Sequence, residues 1–139
     1  MGKPKPASDP KTPAKKCVLV VEDEPDIIML IHRSLNLKKI KVLEAVSGTA
    51  ALEMLETSRP DLILLDVMMP DIDGFEVCRR IKQHPVHRDT PVVFLTVRNN
   101  SVDIERGRTV GAAGYFTKPF DPFQLGEDIE RFLESTPNH

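Results

Sequence analysis

Long apolar runs, paired cysteines and an excess of one charge are all missing from this sequence, and each absence removes a class of function. No stretch approaches the roughly 20 consecutive apolar residues a membrane-spanning helix needs. The lysine-rich N-terminus runs into Pro, Ala, Ser and Asp rather than an apolar segment, so neither a leader nor a membrane partner is expected, and the chain reads as cytoplasmic. The net charge of −2 does not provide the basic footprint of a domain that binds nucleic acid directly. Only Cys17 and Cys78 are present, with no CxxC or CxxH spacing; both read as small core side chains rather than a thiolate metal site. His32, His84, His87 and His139 lack paired-ligand spacing as well, and they read as solvated loop or surface groups.

With those classes gone, what remains is a chain of 139 residues, 40% hydrophobic, enough for one domain of ordinary size. Residues 1 to 14 carry Pro4, Pro6, Pro10 and Pro13 among Lys and Ser. Such a segment has no apolar periodicity and little surface to bury, so it is expected to be a disordered tail. From Lys16 the pattern changes. Cys17-Val18-Leu19-Val20-Val21 is a continuous apolar, β-branched run of the kind found in strands covered on both faces.

Strands and helices then alternate. Pro25 sits where a first helical turn tolerates it, and Ile28, Ile31 and Leu35 follow at helical spacing. Lys41 to Ala45 is half-polar and suits an edge strand, and Ser47 can cap a helix carrying Ala51, Leu52 and Leu55 inward until Arg59-Pro60. Asp61 to Asp66 is the most apolar strand and therefore central; a turn-rich loop through Met69-Pro70-Asp71-Ile72-Asp73-Gly74 leads to a helix with Phe75, Cys78 and Ile81 inward. Pro91 to Thr96 gives a fourth strand and Val102 to Val110 a weak helix, because Gly107 in its interior costs about 1 kcal/mol relative to Ala. That helix is expected to be mobile. Gly114 to Thr117 forms a fifth strand, and Asp121-Pro122 opens a last helix with Leu125, Ile129 and Phe132 inward.

Five strands joined by helical crossovers predict an α/β fold: a flavodoxin-like (βα)5 three-layer sandwich with a parallel five-stranded sheet in the order 2-1-3-4-5. In that order the first and third strands are adjacent, so Glu22, Asp23 and Asp66 share one crevice at the sheet's C-terminal edge. Thr96, Tyr115 and Lys118 belong to the same edge. Taken singly, each has a plain reading: helix-start acids, a loop acid, a strand threonine, a core aromatic, a solvated lysine. Gathered together, like charges repel and rarely serve stability, so the set points to a divalent metal holding an anion such as phosphate.

Four words in order carry a family resemblance: Val-Leu-Val-Val-Glu-Asp-Glu-Pro at 18 to 25, Leu-Ile-Leu-Leu-Asp-Val-Met-Met-Pro-Asp-Ile-Asp-Gly-Phe-Glu at 62 to 76, Pro-Val-Val-Phe-Leu-Thr at 91 to 96, and Gly-Ala-Ala-Gly-Tyr-Phe-Thr-Lys-Pro-Phe at 111 to 120. Residues 16 to 134 resemble the receiver domain of bacterial two-component response regulators. The resemblance implies a receiver domain over 15 to 135, the tail at 1 to 14 and a flexible C-terminus at 136 to 139. It implies Asp66 as the phosphoacceptor that forms an aspartyl phosphate, Glu22, Asp23, Asp66 and the Met68 backbone carbonyl as ligands of Mg²⁺, with Mn²⁺ able to substitute, and Thr96 and Lys118 as phosphoryl contacts. Thr96 and Tyr115 would act as switch residues, and Pro119 would form a cis peptide with Lys118.

The function so implied is a phosphorylation-activated signalling switch rather than an enzyme, catalysing only its own phosphotransfer and autodephosphorylation. Its partners would be a sensor histidine kinase or phosphotransfer protein and a downstream protein effector, and the change would pass through the surface of the fourth helix, fifth strand and fifth helix. The chain is expected to be a monomer or a weak phosphorylation-dependent dimer. The alternative is a pseudo-receiver, a binding module that needs no phosphorylation. A phosphohydrolase with a strand-end aspartate needs a second acid two residues on, where this chain has Met68. Glu22 in place of the commoner Asp is one methylene longer and is expected to reach the metal through water, and Met68 and Arg98 are expected to line the mouth and set the lifetime of the phosphorylated state.

Overall fold

The computed structural model describes residues 15–135. The expected tail at 1 to 14, the expected flexible end at 136 to 139 and His139 lie outside the described residues. Strands and helices alternate without exception: β1 (Cys17–Val21), α1 (Pro25–Asn36), β2 (Lys41–Ala45), α2 (Gly48–Met54), β3 (Leu62–Leu65), α3 (Gly74–Gln83), β4 (Val92–Thr96), α4 (Ser101–Thr109), β5 (Gly114–Thr117) and α5 (Pro122–Ser135). The strands form one parallel sheet in the order β2-β1-β3-β4-β5.

The three central strands are buried on both faces, which is why they read as unbroken apolar runs. Successive side chains alternate between two cores. Leu19, Val21, Ile63, Leu65, Val92 and Phe94 point toward α2 and α3, where Ala51, Phe75, Val77, Cys78 and Ile81 meet them. Val18, Val20, Leu62, Leu64, Val93 and Leu95 point the other way, onto Ile31 and Leu35 of α1 and Leu125, Ile129 and Leu133 of α5. Each such side chain contributes about 1.5–3 kcal/mol on burial. A charge introduced at Leu64 would therefore strike the middle of the sheet.

Helix starts follow their caps. Ser47 accepts the Ala50 N–H and Asp73 the Glu76 N–H, while Pro25 occupies the first turn of α1. Asp61, expected inside the third strand, precedes it and accepts the Cys17 N–H at 2.8 Å, tying the entrances of β3 and β1 together.

Four expectations need correction. His87 is not solvated: it is 2% exposed, with Nε2 2.7 Å from the Leu55 carbonyl and its ring beside His84. The second helix ends at Met54 rather than near Pro60, because the chain turns after its Leu55 cap. In α1 it is Ile27, not Ile28, that packs against the core, and in α5 Leu133 is the buried third apolar residue where Phe132 is only partly covered. Cys78 is buried, as a core cysteine should be, and burial pushes its thiol up to about 11; Cys17, at the mouth of β1, is half-buried.

Candidate functional site

The register of the sheet assembles the site. Val21 pairs with Leu65, so the next residue on each strand, Glu22 and Asp66, stand side by side at the C-terminal edge. Thr96 pairs with Thr117, which brings Lys118 to the same edge, and the Lys118 N–H donates to the Thr96 carbonyl at 2.9 Å. The Lys118-Pro119 peptide is cis.

Lys118 is the centre of the arrangement. Its Nζ lies 2.8 Å from Glu22 Oε1, 2.8 Å from Asp66 Oδ2 and 3.1 Å from Glu24 Oε1. The side chains of Lys118 and Asp66 are each 6% exposed, and that of Glu22 is still more sheltered. Burial works to depress the Lys118 ammonium, yet the contacts with Asp66 and Glu22 outweigh it and hold lysine above its ordinary range. Burial pushes the Glu22 carboxyl up, and the lysine opposes that without reversing it. Two buried carboxylates on one buried ammonium leave an excess of negative charge, a costly arrangement that a folded chain seldom keeps for stability alone.

Asp23 completes the cluster from the exposed side. One carboxylate oxygen each from Glu22, Asp23 and Asp66 lies within 4.8 Å of the others. A set made only of hard oxygens, and one carrying surplus negative charge, suits a hard cation such as Mg²⁺ or Mn²⁺ better than zinc. The Met68 N–H donates to Asp66 Oδ1 at 3.0 Å, which orients the carboxylate, and the Met68 side chain is exposed.

Thr96 and Tyr115 meet in a second cluster, built on Arg98. Thr96 is fully buried, and its Oγ1 accepts the Arg98 N–H at 3.3 Å. The Tyr115 hydroxyl donates to the Arg98 carbonyl at 2.5 Å, its ring lies 5.5 Å from that of Phe94, and burial pushes its phenol up. The Arg98 guanidinium, expected at the mouth, is held by Asp103 of α4 at 2.7 Å.

Three residues of the site were not singled out from sequence. Glu24 was one of several helix-start acids, and only the fold shows it touching Lys118. Gly74 stood out as a turn residue; in fact a Cβ there would lie 2.3 Å from the Asp66 carbonyl oxygen, so only glycine lets the start of α3 close on the end of β3. Asp103 gives no sequence signal beyond an acid in a first helical turn.

A five-stranded, doubly wound sheet with an acidic cluster and a clamped lysine at its switch point defines the class of CheY-like receivers. Residues 18–130 match the family model described as the response regulator receiver domain, and the chain belongs to that family. Over 118 residues it is 38% identical to the alkaline phosphatase synthesis transcriptional regulatory protein PhoP of Bacillus subtilis, covering 85% of this chain and 48% of that one. The chain thus spans about half the length of that curated relative. Among solved structures, the phosphorylated cyanobacterial phytochrome response regulator RcpA is 34% identical with a TM-score of 0.79, covering 90% of this chain and 98% of its own. The Mn²⁺-bound form of response regulator Rcp1 is 31% identical with a TM-score of 0.77, covering 88% of this chain and 97% of its own.

Proposed function

We propose that this chain is a phosphorylation-activated switch in which Asp66 accepts a phosphoryl group from a phosphohistidine of a sensor histidine kinase or phosphotransfer protein. The observation that carries the reading is the buried Glu22–Lys118–Asp66 cluster, with both contacts at 2.8 Å, opening onto the exposed carboxylate of Asp23. The carboxylates of Glu22, Asp23 and Asp66, together with the Met68 carbonyl, are the groups that would hold Mg²⁺, with Mn²⁺ as a substitute of the kind seen in Rcp1. The bound ion supplies positive charge that lets one anion approach another.

An Asp66 oxygen bonds to phosphorus as the N–P bond of the phosphohistidine breaks, and the electron pair leaves with the imidazole nitrogen. Lys118 already stands against Asp66 Oδ2, so its charge meets the incoming oxygens without a long search. Thr96 accepts through its oxygen from Arg98, leaving its hydroxyl proton free to be donated to a phosphoryl oxygen. The added charge at Asp66 biases a pre-existing equilibrium of Thr96 and Tyr115, and the effect leaves through α4, β5 and α5 toward a downstream protein or a second, phosphorylated copy. Autodephosphorylation is the only other chemistry assigned to it. No membrane and no direct contact with nucleic acid enters this reading, and the site of action is cytoplasmic; among the described residues no helix is long and apolar enough to cross a membrane.

Incubation with acetyl phosphate and Mg²⁺, followed by intact-mass measurement, tests the proposal. The expected product is a chain heavier by one phosphoryl group, absent in Asp66→Asn and absent when Mg²⁺ is chelated. No adduct from acetyl phosphate or from a phosphorylated kinase would contradict the reading.

A further inference from the structure

Helix α4 is attached to the body of the protein in an unusual way. Its buried residues are Asp103 and Gly107, so no apolar side chain of the helix is buried. Val102 is 73% exposed and Ile104 is exposed as well. What holds its N-terminal half is the fork of Arg98, whose Nη2 lies 2.7 Å from Asp103 Oδ1 and whose Nε lies 3.3 Å from Oδ2. Asp103 is 4% exposed. A carboxylate so sheltered tolerates little change in its partner, because an unpaired buried charge is strongly unfavourable.

Arg98 is also the residue whose backbone reads both switch side chains. Its N–H reaches Thr96 Oγ1, and its carbonyl receives the Tyr115 hydroxyl. Its neighbours Val97 and Asn99 are exposed, so Arg98 is the one residue between Thr96 and Asn100 whose side chain fastens this loop to the helix. A shift of the Thr96 hydroxyl either breaks its contact with the Arg98 N–H or carries Arg98 with it, and Arg98 cannot move without α4 or without abandoning a buried charge.

We infer that the Arg98–Asp103 pair is the strut that couples Thr96 to α4, making Asp103 a positioning residue for the response rather than for the chemistry. The inference rests on the proposed phosphoryl switch at Asp66. A second brace exists: the Arg106 guanidinium sits 4.5 Å from the centre of the Phe75 ring, tying α4 to α3 without passing through Thr96. The Arg98 guanidinium lies over the same ring, 5.8 Å from its centre, but of the two only Arg98 also holds Asp103, so Arg106 serves as the control for the shared ring.

The chain carries its own probe, since it contains no tryptophan and a single tyrosine, Tyr115. Intrinsic emission therefore reports on this cluster alone. In the unaltered chain, acetyl phosphate with Mg²⁺ is expected to change that emission as the phosphoryl group loads. In Asp103→Asn, which keeps the shape of the side chain, loading is expected to proceed at a rate within about threefold of the original while the emission change falls by about threefold or more, the scale of measured coupling effects.

Arg98→Met removes the charge from the other side and is expected to lose the emission change likewise, so the test survives if one variant fails to fold. Asp103→Glu keeps the charge and should recover part of the response, and Arg106→Gln should leave it intact. An emission change in Asp103→Asn or Arg98→Met equal to that of the unaltered chain would overturn the strut, as would an unaltered chain that loads phosphate with no change in emission. Failure of the unaltered chain to load at all would overturn the phosphoryl switch, and the strut with it.

Discussion

Helices α3 and α4 contact the same face of the sheet, yet they are built on opposite principles. Helix α3 buries Phe75, Val77, Cys78 and Ile81, and Phe75 packs on Phe94 of β4 at 5.3 Å between ring centres. Helix α4 buries an aspartate and a glycine. Apolar burial is non-directional and grows with area, so α3 is fixed by many small contributions that no single charge can undo. A helix held by one ion pair, one cation–π contact and one close backbone approach depends on direction and charge. The contrast assigns α3 to the frame that holds Asp66, and under the proposed switch α4 is the part expected to answer it.

Three substitutions test the difference between the two helices. The largest effect belongs to Phe75→Ala, which empties a fully buried aromatic position and is expected to cost about 3–5 kcal/mol in denaturant unfolding. A loss below about 1 kcal/mol would mean that α3 is no better anchored than its neighbour. Gly107→Ala comes next. A Cβ at this position would lie 3.0 Å from two carbons of the Tyr115 ring, so overpacking of about 1–3 kcal/mol outweighs the gain of about 1 kcal/mol in helix propensity. The expected net loss is about 1 kcal/mol, with a visible change in Tyr115 emission. The smallest effect is that of Val102→Ala, at an exposed position of α4, expected within about 0.5 kcal/mol of zero; a larger loss would reveal apolar anchoring of α4.

The same contrast marks what could be read from sequence. The inward face of α3 was legible in Phe75, Cys78 and Ile81 because helical periodicity is a local property. Gly107 was legible only as a weakness and read as mobility. Its reason is non-local: the glycine makes room for the Tyr115 ring, and nothing in the residues around position 107 announces a ring from β5. His87 was misread for a similar reason, its Leu55 partner being 32 positions away. The acidic cluster, by contrast, was legible in full, since Glu22, Asp23 and Asp66 each follow an apolar strand and a parallel sheet must bring such ends together. Lys118 was placed in that cleft as well, but its grip on Glu24 was not foreseen. Nor was the engagement of Arg98 by Asp103, because a guanidinium long enough to reach many partners gives no sign in sequence of which one it takes.

Amide hydrogen exchange over residues 74–83 and 101–109, with and without acetyl phosphate and Mg²⁺, tests most directly whether charge at Asp66 is read by one helix and not the other. The expected result is a change in exchange in α4, none in α3, and none anywhere in Asp66→Asn. Equal responses in the two helices, or no response in α4 of a chain carrying the phosphoryl group, would contradict it.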